Sequence, residues 1–125
     1  MKPVIIRSFE DFEKYNGQEI GTSEYFTITQ NQINLFADAT HDHQWIHTDP
    51  ERAKVEGAFG NTIAHGYLTL SIVPHLWEQI VQVTNLKMMI NYGIENLRFA
   101  QAVTVDSEVR LHAKLRNVAN LRGTV

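Results

Sequence analysis

Cysteine is absent from the sequence, which excludes disulfides, thiolate nucleophiles and cysteine-ligated zinc. Positive charge is scarce as well. Eleven Lys and Arg against 14 Asp and Glu give a formal net charge of −3 and a pI near 6.0. Nucleic acid binding needs a basic face, so this balance argues against nucleic acid as the main partner. Nowhere does the chain approach the roughly 20 apolar residues required to span a bilayer. Only Val4, Ile5 and Ile6 precede Arg7 at the N-terminus, too short a run for a secretory signal. Repeats, low-complexity tracts and Gly/Ser/Pro linkers are also missing. The 43% hydrophobic and 20% charged residues that remain are ordinary for a globular chain. The expectation is a single domain over residues 1–125, cytoplasmic, with no membrane partner.

Ser8, with Asp11 behind it and the apolar Phe9 and Phe12 beside it, marks a helix start, and Asn16-Gly17 marks its end. Residues 22–29 are rich in β-branched and aromatic side chains and predict a strand. Thr29 then caps a helix whose inner positions are Ile33, Phe36 and Ala37. The polar stretch ATHDHQWIHTDP reads as a loop. Asp49-Pro50 opens a short helix over residues 50–55, followed by a second loop at 56–62.

The longest apolar segment is 63–83, where Leu68, Ile72, Leu76, Ile80 and Val83 recur at helical spacing. Pro74 predicts a kink near residues 70–74, because proline lacks the donor and restricts its predecessor. Beyond it, residues 88–99 are strand-like, with Gly93 and Glu95-Asn96 as bulge positions. Residues 109–115 alternate apolar and polar, which predicts one dry and one wet strand face. The closing LRGTV reads as the start of another strand. The pattern is α+β, an antiparallel sheet packed with a long buried helix.

Two clusters carry chemistry: HDHQWIHTDP at 41–50 and IAHG at 63–66. Asp42 with His47 can orient a water and take its proton, since imidazole titrates near neutral pH. Gly66 stands where the apolar helix begins, where unpaired amides and the helix dipole favour developing negative charge. His65 is expected to hydrogen-bond around that helix start. His41 and His43 read as solvated loop residues and Asp49 as a helix cap. A second reading of the cluster is a metal site, because imidazoles at 41, 43, 47 and 65 accompany the carboxylate. Trp77, Met88 and Met89 are most simply packing residues.

The run FADATHDHQWIHTDPERAKVEGAFGNTIAHGYLTLS resembles the hydratase motif of the MaoC-like dehydratases, the R-specific enoyl-CoA hydratases. DHQWIH followed by DPERA is most similar to the nodulation-protein-N-like branch. The later NYGIENLRFAQAVTVDSEVRL resembles that family's strands, so the likeness covers most of the chain. It implies a hot-dog fold, an antiparallel sheet wrapped around a long central helix at about 63–83. It also implies a homodimer, with further assembly left open. The substrate implied is a 2-enoyl thioester of coenzyme A or acyl carrier protein, with no cofactor beyond that coenzyme and no metal.

By position, Asp42 and His47 match the motif's catalytic pair, and Gly66 matches the glycine whose amide polarises the thioester carbonyl. His65, Tyr67, Ser71 and Phe59 are the expected substrate-binding residues, the loop at 56–62 and the face around Tyr67 and Leu68 setting chain length. The family's supporting helix serine falls near Pro74 here, leaving Ser71 as its substitute. Family members continue through further strands after the position of Val125, so the sheet is expected to lack its last strands. Two other readings use the same fold: a thioesterase, and an acyl-CoA-binding protein that has lost turnover.

Overall fold

The computed structural model describes residues 2–125. In chain order the first elements are β1 (Val4–Ile6), α1 (Phe9–Glu13), β2 (Glu19–Thr22), β3 (Phe26–Thr27) and α2 (Gln30–Thr40). Next come α3 (Trp45–Thr48), α4 (Pro50–Glu56), α5 (Gly66–Ser71) and α6 (Val73–Ile80). The last are β4 (Val81–Val83), β5 (Glu108–Val109) and β6 (His112–Lys114). They divide into two compact units, both mixing helix and strand.

One unit comprises the chain up to Glu24, Pro74–Ile94 and Arg110–Val125. Here β1 pairs in parallel with β4, Val4 opposite Val81 and Ile6 opposite Val83. β2 pairs antiparallel with β6, with an irregularity between Glu19 and Gly21. Ile6, Ile20, Ile80 and Val81 form its buried core, and Phe12, Trp77 and Leu111 pack against them. Each fully buried isoleucine contributes roughly 2 kcal/mol. Ser8 caps α1 by accepting the Asp11 amide, as its sequence signature predicts.

The other unit comprises Tyr25–Val73 and Glu95–Val109. β3 pairs antiparallel with β5, Phe26 opposite Val109. Its core gathers Ile28, Ile33, Ala64 and Leu68, with Phe36, Val103 and Val105 at the margin. The helical spacing of Ile33 and Ala37 thus buries the face it predicts.

Several expected boundaries change. Residues 22–29 are not one strand but the end of β2 and the two-residue β3, because the Ser23 hydroxyl takes over at Leu111, accepting its amide. The loop at 41–50 contains a full turn of helix, α3, closed by Thr48 and Asp49 amides bonding back to Gln44 and Trp45. The apolar segment starts its helix at Gly66, not 63, since Ile63 and Ala64 spend their amides on Ile46 and Val103. Helix is interrupted at Ile72, just before Pro74, and gives way at Val81 to β4.

Residues 88–99 form no strand, and the bulges expected at Gly93 and Glu95-Asn96 do not occur. A strand needs a ladder partner, and Asn96 (φ 56°) takes the left-handed conformation that breaks extension. Met88, Met89, Ile90, Tyr92 and Ile94 are consequently exposed. The burial alternation over 109–115 holds, but the ladder covers only β5 and β6. LRGTV closes as a turn in which Leu121 pairs with Thr124.

Candidate active site

The site begins with α2. Thr29 caps it with a reciprocal box: its hydroxyl accepts the Gln32 amide at 3.2 Å, and Gln32 accepts the Thr29 amide at 3.0 Å. The helix stops at His41, whose left-handed backbone (φ 63°) turns the chain and leaves Asp42 just outside. Asp42 Oδ1 accepts the Gln44 amide at 3.4 Å. The single turn of α3 then carries His47 inward, where it is 7% exposed.

His47 is held by its surroundings in one tautomer. Its Nδ1 lies 2.7 Å from the Ile63 carbonyl oxygen. A carbonyl can only accept, so Nδ1 carries the proton and Nε2 keeps its lone pair. Burial pushes the His47 pKa below the ordinary imidazole value of 6.5. The Ile63 bond opposes that shift, the neighbouring His65 adds to it, and Asp42 opposes it. The lowered pKa favours the neutral form of His47, the form that can act as a base.

His65 lies against it. The two rings stack with centroids 3.8 Å apart and planes 21° apart. His65 is 2% exposed, and its Nε2 donates to the Asp42 carbonyl oxygen at 3.0 Å. Phe36 of α2 packs on its ring, centroids 4.9 Å apart. One carboxylate oxygen of Asp42 and one ring nitrogen from each of His47 and His65 all lie within 4.8 Å of one another. An Asp/His/His set this compact has the donor types of a metal centre. The stacking opposes that use, since in-plane lone pairs on rings in nearly parallel layers do not converge on one ion. Proton transfer makes no such demand.

The other expected site residues are arranged differently. Gly66 opens α5, and its missing side chain is required by packing: a Cβ there would come within 2.8 Å of the Phe99 ring. Tyr67 meets Phe99 edge to face, centroids 5.7 Å apart, and is itself exposed. Ser71 is exposed, its hydroxyl donating to the Tyr67 carbonyl at 2.6 Å. Phe59, also exposed, lines a small apolar cavity of about 100 Å³ with Ile46, Ala53 and Ile63. Asp42, His47 and His65 are gathered around one point. Asp49 caps α4 by accepting the Arg52 amide, and His43 pairs with Asp38 at 2.9 Å.

Three contributors were not legible beforehand. Gln30 Nε2 donates to the His47 carbonyl at 2.8 Å, and the buried Thr62 hydroxyl donates to Gln30 in turn. The third is the Ile63 carbonyl, and backbone acceptors leave no sequence signal. A polar residue opening α2, such as Gln30, looks like any solvated helix terminus.

Comparison with known proteins now bears on this geometry. The family profile described as MaoC like domain matches residues 11–125. This chain belongs to the MaoC-like domain family. It is 49% identical over 124 residues to 3-hydroxyacyl-thioester dehydratase Z of Mycobacterium tuberculosis, covering 96% of this MaoC-like chain and 82% of that protein. Nodulation protein N of Rhizobium leguminosarum is 48% identical over 104 residues, covering 82% of this chain and 65% of the relative. Among solved structures, the monoamine oxidase regulatory protein from Archaeoglobus superposes with a TM-score of 0.65 at 29% identity, covering 88% of this chain and 71% of that one. The fold of this MaoC-like domain is the hot-dog fold. Among the described residues no helix is long and apolar enough to cross a membrane.

Proposed function

We propose that this MaoC-like domain interconverts a 2-enoyl thioester and its 3-hydroxyacyl thioester by adding or removing water, with coenzyme A as the thioester carrier. The observation that carries the reading is the grouping of the Asp42 carboxylate with a His47 whose tautomer is fixed by the Ile63 carbonyl. The 49% identity to a protein named as a thioester dehydratase supports the substrate class.

In the hydration direction, Asp42 and His47 hold a water, and the Nε2 lone pair of His47 takes its proton as the oxygen attacks the β-carbon. The electron pair of the double bond moves toward the thioester oxygen, where the Gly66 amide donates. The proton is then returned to the α-carbon, so the pair ends as it began. Dehydration runs the same steps backwards. One well-placed amide donor is worth about 3 kcal/mol of barrier, and acid–base assistance about 100-fold or more. The proton bookkeeping is closed by the protein's own groups, so the reaction uses no resident cofactor. The proposed setting is the cytoplasm and the proposed assembly a homodimer.

The test is hydration of crotonyl-CoA, followed as loss of enoyl-thioester absorbance with product analysis, for wild type beside Asp42→Ala. A 3-hydroxyacyl product from wild type alone supports the reading. Release of free coenzyme A would instead make the protein a thioesterase. Binding without turnover across short and medium chains would make it an acyl-CoA-binding protein.

A further inference from the structure

His65 has a peculiarity that acid–base chemistry by Asp42 and His47 does not use. Its Nδ1 is buried with no hydrogen-bond partner among the described residues. The tautomer follows from the other nitrogen: Nε2 faces the Asp42 carbonyl oxygen, which can only accept, so Nε2 carries the proton and Nδ1 is a bare lone pair. A buried acceptor without a donor is costly and calls for a reason.

The two imidazoles stack with centroids 3.8 Å apart. The titratable groups facing His65 are His47 and Asp42, and the ring on its other side is the apolar Phe36. A carboxylate oxygen of Asp42 lies within 4.8 Å of a ring nitrogen of each imidazole. His65 also fixes the main chain of Asp42 through its Nε2 bond, and its flat ring fixes the plane of His47.

We propose that His65 is a positioning residue, an imidazole that anchors the Asp42 backbone through its Nε2–H, sets the plane of the His47 ring and leaves the catalytic proton to His47. It acts through Asp42 and His47. The kinetic side of this proposal rests on the hydratase reading, but the tautomer of His65 does not.

The deciding measurement is therefore made first on the resting protein: long-range nitrogen NMR of the histidine rings near neutral pH, with the His65 signals assigned by their loss in His65→Gln. The expected result is a His65 ring that carries its proton on Nε2 and leaves Nδ1 bare. A His65 that carries its proton on Nδ1 overturns the proposal whether or not the protein is a hydratase. The second arm compares His65→Leu with His65→Gln. Leucine removes the unpartnered acceptor but also strands the Asp42 carbonyl, so the variant should melt near wild type yet lose about 100-fold in kcat with KM nearly unchanged. Glutamine keeps a donor for the Asp42 carbonyl and should recover about tenfold of that loss. In both variants the acid limb of kcat/KM should stay below pH 6.5, since burial, the main cause of the lowered His47 pKa, is kept. Activity that simply follows melting temperature, with no recovery in His65→Gln, would reduce His65 to a packing residue.

Discussion

Replacing His47 with asparagine separates the ring's chemistry from its structural bond. The asparagine amide nitrogen sits near the place of the imidazole Nδ1, so it can still donate to the Ile63 carbonyl that His47 reaches at 2.7 Å. What disappears is the Nε2 lone pair. General acid–base assistance is worth about 10²- to 10⁴-fold, or roughly 3 to 5 kcal/mol of barrier, so kcat for crotonyl-CoA hydration should fall by at least about 100-fold. Stability should fall much less: the hydrogen bond is kept, and the loss is the contact with the His65 ring, about 1 kcal/mol or a few degrees of melting temperature. His47→Ala should lose similar activity but more stability, by about 1 to 3 kcal/mol, because it strands the Ile63 carbonyl in a buried site. Thermal melts and steady-state rates on the same preparations check the separation. If His47→Asn keeps activity within tenfold of wild type, the base is elsewhere and the proposed mechanism fails.

Other consequences are equally direct. Because burial lowers the His47 pKa, the acid limb of kcat/KM should lie below pH 6.5, whereas an unperturbed histidine would place it there. The same shift acts on stability. Above the unfolded value near 6.5 both states are neutral and nothing is lost; as pH falls below it the unfolded chain takes a proton that folded His47 refuses, so denaturant midpoints should drop progressively toward the folded pKa. Gly66→Ala drives a methyl to within 2.8 Å of the Phe99 ring and should cost about 1 to 3 kcal/mol, largely restored by pairing it with Phe99→Ala in a double-mutant cycle. Thr29→Ala removes one half of the capping box on α2 and should cost about 1 kcal/mol in a chemical melt while leaving the pH profile in place.

Legibility from the sequence depended on what fixed each feature. Caps are local, so Ser8, Thr29 and Asp49 could be read from a few residues and are all found in place. Pro74 likewise announces the interruption at Ile72 from its own chemistry. Residues 88–99 failed for the opposite reason. Their β-branched and aromatic content describes a willingness to extend, but a strand exists only where another supplies its ladder, and propensity contains no partner. In the site, Asp42 and His47 were legible from a motif of residue types. Gln30, Thr62 and the Ile63 carbonyl were not, because their contribution is tertiary: Gln30 reaches His47 across 17 positions of sequence.

The two clusters in the sequence, 41–50 and 63–66, become one device through reciprocal hydrogen bonds. The histidine of the first donates to a carbonyl of the second, His47 to Ile63, and the histidine of the second donates to a carbonyl of the first, His65 to Asp42. A third bond, from the Ile63 amide to the Ile46 carbonyl at 3.0 Å, ties the same two segments one residue away. Each ring's orientation is thus set by the backbone that carries the other, and the stacking between them closes the loop. Residues coupled this way cannot fail independently. In the double variant of His47→Asn with His65→Leu, the loss in kcat should be far smaller than the product of the single losses, because whichever change comes first has already released the geometry the other protects. Losses that multiply would mean that the two rings act separately, and that their stacking is packing alone.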